Sequence, residues 1–263
     1  MPELPEVEYA TRIARAASVG RTIDRARVLH PSLRRALPDD TAASLTGDVI
    51  LDVVRRGKHQ LIALTSGRSL HVHFRMTGDW SVGAVTDPPP RYARFIVEFT
   101  DATRLSLDDP RALALVSLHD AGVDPLPALG PDATSDAFGA AWLRDQLSAR
   151  RGPIKPVLLD QALVAGIGNI YASEALWYAK VDPRRAANRI SIPRLTAIAD
   201  GVKRAMRKAL AHPERYYGAN GVSDAVRFNV YDREGRPCRR CGSLIRRLVQ
   251  GGRSSFYCGG CQR

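Results

Sequence analysis

Met1-Pro2-Glu3-Leu4-Pro5-Glu6-Val7-Glu8 opens the chain, and the rest of the sequence is organised around how this stretch is read. One reading is structural: two prolines lead into a helix, and proline is well tolerated in a first helical turn. The other is chemical. Once Met1 is removed, Pro2 carries a free secondary amine. An α-amino group titrates near ~7.7–8.0, against ~10.4 for lysine, so a useful fraction is unprotonated at neutral pH. Such an amine attacks an electrophilic carbon, a sugar C1′ for instance, and goes on to a Schiff base. Glu3 stands beside it as a general acid or base. A small second residue favours removal of Met1, and the mature chain is expected to begin at Pro2.

The remainder of the chain favours the chemical reading. Its 263 residues are enough for two domains with cores. Lys and Arg number 39 against 27 acids, a formal net charge of +12. That excess points to a polyanion, nucleic acid before an anionic membrane surface. No apolar run approaches the ~18 residues of a membrane span, and the basic-then-apolar pattern of a signal peptide is absent. A soluble, intracellular protein is expected. All four cysteines fall within 238–263, which argues against a disulfide framework spread over the chain. The six histidines form no HExxH-type cluster.

Working outward from the leader, Glu6–Ala17 has Val7, Ala10, Ile13, Ala14 and Ala17 at helical spacing. Residues 21–120 read as β-rich. Apolar runs at 49–54, 60–64, 70–74 and 93–99 are separated by Gly, Asp and Pro punctuation. Short strands at this spacing predict a β-sandwich with a helix packed alongside. Residues 86–90, with three consecutive prolines, are a loop. The shift to Pro, Gly, Asp and Ala over 123–135 predicts an interdomain linker. Helical patterns follow at Asp136–Arg150 and Pro193–Ala211. Between them, Gly166-Ile167-Gly168-Asn169 makes a tight turn feeding a helix start. Its backbone N–H groups can bind a phosphate, and a plain interhelix turn is the alternative.

The tail carries the most specific pattern. Cys238-x2-Cys241, sixteen residues, then Cys258-x2-Cys261 has the spacing of a four-cysteine zinc site. Four protein thiolates leave no open coordination position, so one structural Zn2+ is expected. Arg239, Arg240, Arg246, Arg247 and Arg253 lie between the cysteines and read as a phosphate-gripping surface.

Taken together, the leader, Arg56-Gly57-Lys58, His73-Phe74-Arg75-Met76-Thr77-Gly78, Asp109-Pro110-Arg111, Gly166–Ala172 and the cysteine tail resemble the formamidopyrimidine-DNA glycosylase / endonuclease VIII family along essentially the whole chain. The resemblance implies an α+β multidomain fold. It would hold an N-terminal β-sandwich with flanking helices (1–122), a linker (123–135), a helical DNA-binding domain with a helix–two-turn–helix motif (136–226) and a C-terminal β-hairpin zinc finger (227–263). It implies a monomer acting on double-stranded DNA that contains a damaged base or abasic site, with no membrane partner, in a bacterial-type cytoplasm and associated with the nucleoid. The damaged nucleotide would be flipped out of the duplex. Pro2 would attack C1′ and form an imine, Glu3 would shuttle protons, and elimination would cut the strand on both sides of the lesion. Lys58 would contact phosphates near the lesion from a hairpin turn. His73, Asn169 and Arg253 would hold the backbone around the extruded nucleotide. Met76, Arg111 and Leu113 would fill the void. His71 faces the same side of its strand as His73, but a His-x-His metal pair there lacks a nearby carboxylate or third histidine.

Two departures bear on the lesion. Leu113 stands where the 8-oxoguanine branch usually carries an aromatic wedge, although apolar side chains of this kind do insert between bases. The segment 216–225 is short and lacks that branch's Gly- and Thr-rich turn, and 226–235 looks more like endonuclease VIII. Leu4 and Val7 follow the formamidopyrimidine branch instead. The expected activity is therefore glycosylase and lyase action on oxidised bases, either 8-oxoguanine and formamidopyrimidine or oxidised pyrimidines. The alternatives from other classes are a non-catalytic damaged-DNA-binding protein and a zinc-ribbon nucleic-acid adaptor. The second leaves the leader and the Gly166–Asn169 turn unexplained.

Overall fold

Within residues 59–73 the strands alternate inward apolar residues with outward, partly exposed ones, the period of a sheet that buries one face, whereas 93–99 and 103–108 are buried almost throughout. The computed structural model describes residues 1–212 and 228–263. Two antiparallel four-stranded sheets result. One runs β1-β6-β7-β5, with β1 Ile23–Val28, β5 Asp79–Ala84, β6 Ala93–Phe99 and β7 Thr103–Asp108. The other runs β2-β3-β4-β8, with β2 Ile50–Arg56, β3 His59–Leu64, β4 Ser69–His73 and β8 Leu115–His119. Inward residues of both sheets, such as Phe95, Leu107, Ile62 and Val72, join Val7, Ala10 and Ala14 of helix α1 (Leu4–Ser18) in one buried cluster. Two short helices, α2 (Pro31–Arg34) and α3 (Asp39–Ala43), follow β1. This is the expected β-sandwich with a helix alongside.

The chain divides into two compact units. Met1–Pro2 and Glu6–Pro127 form one, and Glu3–Pro5 and Ala128–Arg263 form the other. The second unit holds α4 (Ala140–Leu147), α5 (Ile154–Leu158), α6 (Asn169–Ala179), α7 (Ile192–Ala211) and the hairpin of β9 (Ile245–Gln250) and β10 (Arg253–Cys258). Leu4 is buried in its core with Phe138, Leu143, Leu163, Tyr171 and Val202. A smaller cluster of Trp177, Val230, Ile245 and Phe256 lies under the hairpin.

Two boundaries differ from the sequence reading. Helix α4 begins only at Ala140, because Gly139 is its extended N-cap. The segment 128–135 packs within the second unit: Gly130 N–H donates to Gln161 O at 2.9 Å, Ala165 N–H donates to Pro131 O at 3.0 Å, and Ala133 is fully buried. A Cβ at Gly130 would approach the Leu163 backbone at 2.5 Å. Its glycine marks a close backbone approach rather than flexibility. No helix among the described residues is long and apolar enough to cross a membrane.

Candidate active site

Glu3 is one of the most heavily bonded side chains in the second unit. Its carboxylate accepts from Gly168 N–H (2.8 Å), Ile170 N–H (2.8 Å) and Tyr171 N–H (3.2 Å). These are orphan donors at the start of α6, where the helix dipole also favours a negative charge. Leu4 N–H donates to Gly166 O at 3.0 Å and extends the grip by one residue. Both glycines of the turn serve this contact. A Cβ on Gly168 would lie 2.3 Å from the Glu3 carboxyl carbon, and one on Gly166, whose φ is +98°, would lie 2.6 Å from Leu4. The backbone donors of Gly168, Ile170 and Tyr171 are therefore not a phosphate cradle, one of the two readings of the turn given above, because the leader's own carboxylate takes them. Pro2, covalently next to Glu3, is buried.

Asn169 begins α6, and its side chain is held from two sides. Lys155 Nζ donates to Asn169 Oδ1 and, at 2.9 Å, to Ser254 O on β10. The Tyr231 hydroxyl is hydrogen-bonded to Asn169 as well. Lys155 is 1 % exposed. Burial pushes its ammonium down to about 8, against the pull of Glu3 and with the repulsion of Arg253. Arg253 is exposed at the first position of β10. Glu3, Lys155, Asn169, Tyr231 and Arg253 thus form one electrostatic neighbourhood. The sequence reading missed Lys155. Its signal was a lysine enclosed by Pro153, Ile154 and Pro156, a context that buries rather than solvates.

In the first unit, Lys58 occupies the two-residue turn between β2 and β3, where Arg56 pairs with His59. It is buried, unlike an ordinary surface lysine. His73 ends β4, opposite His59. The Arg75 N–H donates to His73 Nδ1 at 3.0 Å. A neutral His73 must therefore carry its proton on Nε2 and present an N–H donor. Burial, then the neighbouring His59 and Arg75 charges, push this imidazole down to about 3, so the neutral form is the one present near pH 7. His71 does face the same side. The structure also supplies the missing histidines: His59 Nδ1 lies 2.8 Å from His71 Nε2, and the His119 ring is tilted by 57° to that of His71 at a centroid distance of 6.2 Å. No carboxylate among the described residues completes a metal site there. Among the described residues, only the four cysteines bring three or more metal-binding atoms close together.

The two loops expected to fill a void are tied together by Asp109. Its buried carboxylate accepts from the Thr77 hydroxyl and from the N–H groups of Arg111 (3.2 Å), Leu113 (2.6 Å) and Ala114 (2.7 Å). The Arg94 guanidinium donates to Asp109 O at 2.7 Å. Arg75 and Ala112 adopt φ of +56° and +53°, which turns the chain sharply beside Met76 and Leu113. These two apolar side chains are 39 % and 43 % exposed, and Arg111 is exposed as well. Met76 is thus a turn residue and not core.

The sulfur atoms of Cys238, Cys241, Cys258 and Cys261 lie within 4.8 Å of one another. Cys241–Cys258 and Cys238–Cys261 are separated by 3.5 and 3.9 Å. A tetrahedral zinc with ~2.3 Å bonds to sulfur needs S···S edges of about 3.8 Å. The cluster fits one structural zinc. Trp177 Nε1–H and Arg240 N–H each donate to Cys238 Sγ at 3.4 Å, and the Arg240 guanidinium covers the Trp177 ring at 4.0 Å. These groups offset the negative charge of the thiolates and fasten the finger to α6. Glu174, also missed in the sequence, likewise fastens the finger to α6: it accepts from the backbone of Asn229, Val230 and Tyr231. Its signal was a lone carboxylate in a helix that is apolar on all sides. The segment 216–225, weighed above for lesion preference, falls within 213–227, outside the described residues.

Comparison with known proteins bears on all three parts of the chain. Residues 1–116 match the formamidopyrimidine-DNA glycosylase N-terminal domain, 129–217 the H2TH domain of the same enzyme, and 235–263 the zinc finger found in FPG and IleRS. The formamidopyrimidine-DNA glycosylase of Thiobacillus denitrificans is 38% identical over 276 residues, covering 100% of both chains. Lactococcus lactis Fpg in complex with Fapy-dG DNA superposes with a TM-score of 0.90 at 28% identity, over 99% of this chain and 100% of that one. The same enzyme with DNA containing an oxidised pyrimidine gives 0.90 and 28%, over 100% of both chains.

Proposed function

Because this chain belongs to the formamidopyrimidine-DNA glycosylase family, we propose that it excises oxidised bases, formamidopyrimidine and 8-oxoguanine first among them, from double-stranded DNA and then cleaves the strand as a lyase. The observation that carries the chemistry is the anchored leader. Glu3 is fixed by three N–H donors of α6, so the residue before it is held as well, and that residue bears the nucleophile once Met1 is removed. The Pro2 nitrogen attacks C1′, the N-glycosidic bond breaks, and the base leaves with a proton. Opening of the sugar ring yields an iminium between Pro2 and C1′. That iminium acidifies the adjacent sugar protons, and successive eliminations expel the two flanking phosphates. Glu3 moves the protons.

Lys58, His73, Asn169 and Arg253 take the phosphates in this reading, and Met76, Arg111 and Leu113 fill the space of the extruded nucleotide. His73 contributes a neutral Nε2–H donor and not a charge, because its Nδ1 is already occupied as an acceptor. Such contacts position the duplex without reading its sequence. We place the protein in the cytoplasm, on the nucleoid.

Action on oxidised pyrimidines is a second reading, supported by Leu113, which offers a smaller apolar wedge than an aromatic ring, and by the Lactococcus enzyme's complex with such DNA. Excision kinetics on duplexes bearing formamidopyrimidine, 8-oxoguanine or an oxidised pyrimidine test both readings. Base release from the first two, abolished when the Pro2 nitrogen is blocked by acetylation or by retention of Met1 and depressed by Glu3→Gln, is expected. A faster pyrimidine reaction favours the second reading. Equal binding of damaged and intact duplex without base release would identify a non-catalytic binder.

A further inference from the structure

Lys58 stands in the two-residue turn between β2 and β3, and the residues just below that turn reach back to the helix that carries the leader. Arg55 and Gln60 are register partners, and directly opposed residues of an antiparallel pair share a face. Both bond to α1, at adjacent positions. Arg55 Nε donates to Glu8 Oε2 at 2.9 Å, and Gln60 Nε2 donates to Val7 O at 3.4 Å. The Arg55 guanidinium has a second hold, since its Nη1 donates to Gly57 O at 3.2 Å. That carbonyl belongs to the peptide joining Gly57 to Lys58. One guanidinium thus grips the helix on one side and, on the other, the peptide from which Lys58 starts. Gly57 has a φ of +59°, which glycine adopts without strain.

The partners leave these groups little freedom. Arg12 Nε donates to Glu8 Oε1 at 2.9 Å, so the Glu8 carboxylate is held at both oxygens. Burial acts to raise the Glu8 carboxyl, but Arg55 and then Arg12 outweigh it and hold the group below its ordinary range. It therefore stays charged at neutral pH. Gln60 is 1 % exposed. Trp80 Nε1–H donates to Gln60 Oε1 at 2.6 Å, and because an indole can only donate, this contact turns the amide NH2 towards Val7. Further along β2, Arg15 Nε donates to Val53 O at 3.0 Å, and its guanidinium pairs with Asp52 at 2.8 Å. That tie holds the strand, whereas Arg55 and Gln60 hold the end that carries the turn.

We infer that Glu8 and Arg55 are positioning residues that seat the Lys58 turn on α1, with Gln60 as a second tie. The lysine then keeps its place relative to Pro2, which belongs to the same compact unit. Neither residue touches the nucleotide in the reading above; both act through Lys58. The consequence for catalysis rests on Lys58 as a phosphate contact, whereas the seating itself does not.

The first test reads the seating in zinc-loaded protein without DNA. Lys58 is 6 % exposed and Lys155, in the other unit, 1 %, so both should react slowly with an amine-acetylating reagent followed site by site by mass spectrometry. Glu8→Ala, at a helical position where alanine is favourable, and Arg55→Gln are expected to raise the rate at Lys58 at least about threefold with Lys155 unchanged. Glu8→Gln, which keeps an acceptor for Arg55, should restore most of the protection. An unchanged rate at Lys58, or an equal rise at Lys155, overturns the seating. The second test is a double-mutant cycle in single-turnover cleavage of an abasic-site duplex. Glu8→Ala is expected to slow cleavage at least about fivefold when Lys58 is present, and less than about twofold when Lys58 is already alanine. Equal losses in the two backgrounds overturn action through Lys58. If Lys58→Ala alone leaves cleavage unchanged while the labelling result holds, the phosphate reading of Lys58 fails and the seating stands.

Discussion

Replacing Glu174 by Gln should loosen the zinc finger from the helical unit while leaving the finger's own ligands untouched. Glu174 is 4 % exposed. Its Oε1 accepts from Asn229 N–H (2.9 Å), Val230 N–H (2.8 Å) and Tyr231 N–H (3.1 Å), and its Oε2 accepts from Asn229 N–H (2.9 Å) and Nδ2 (2.7 Å). A glutamine can retain the Oε1 fan, but those three bonds change from charge-assisted to neutral, at about 1 kcal/mol each. Its new amide faces Asn229 Nδ2, donor against donor, until the Asn229 amide turns over and gives up its 3.2 Å bond to the Tyr178 hydroxyl. The expected cost is about 3 kcal/mol, rising towards 4–5 kcal/mol for Glu174→Ala, which strands several buried donors. Hydrogen exchange of the zinc-loaded protein reads this directly. Amides 229–231 should lose protection by the corresponding factor, and chelators should extract zinc faster. Protection within about 0.5 kcal/mol of wild type at those amides would refute the reasoning, since it would mean the carboxylate fan contributes no more than an average surface contact.

Gly168→Ala inserts a methyl group 2.3 Å from the Glu3 carboxyl carbon. It should displace the leader and cut turnover by at least about tenfold, one to a few kcal/mol of misplacement, while affinity for an abasic duplex changes far less; single-turnover excision against binding separates the two. Removal of zinc should abolish DNA binding and the order of the β9–β10 hairpin but spare the sandwich, whose core contains no zinc ligand, as far-UV dichroism and binding would show. Acid should destabilise the first unit. Burial holds His59 down to about 4 and His73 down to about 3, both below the unfolded value near ~6.5. Their contribution is therefore intact above about pH 6.5 and lost as pH falls towards 4. Burial pushes the Asp79 carboxyl up to about 7, so it acts in the opposite sense over that window, one carboxyl against two imidazoles. Melting temperature should accordingly fall between pH 7 and 5, less steeply in His59→Gln.

What could be read in the sequence was what local pattern encodes. The period-two strands became two sheets around one core, because a sheet must bury its apolar face. The paired Cys-x2-Cys motifs became the cluster that holds zinc. What escaped was long-range satisfaction of polar groups. The Gly166–Asn169 turn carries free N–H donors in sequence, and nothing local says that Glu3, at the other end of the chain, will occupy them. Lys155 and Glu174 lie in apolar surroundings, and only the fold supplies the Asn169, Ser254 and Asn229–Tyr231 partners that make their burial tolerable. His59 and His119 sit on different strands from His71, so their approach depends on sheet register. The Pro/Gly-rich composition of 128–135 reported close backbone packing, a demand that resembles a linker in composition alone.

The central claim is that the Pro2 nitrogen forms an imine with the sugar, and borohydride trapping tests it most directly. Protein shown by mass spectrometry to begin at Pro2 is mixed with an abasic-site duplex and reduced. The account predicts a covalent protein–DNA adduct whose peptide maps to Pro2 and which disappears when the Pro2 nitrogen is blocked by acetylation or by retention of Met1. No adduct, or an adduct that maps to Lys155 or Lys58, would contradict it.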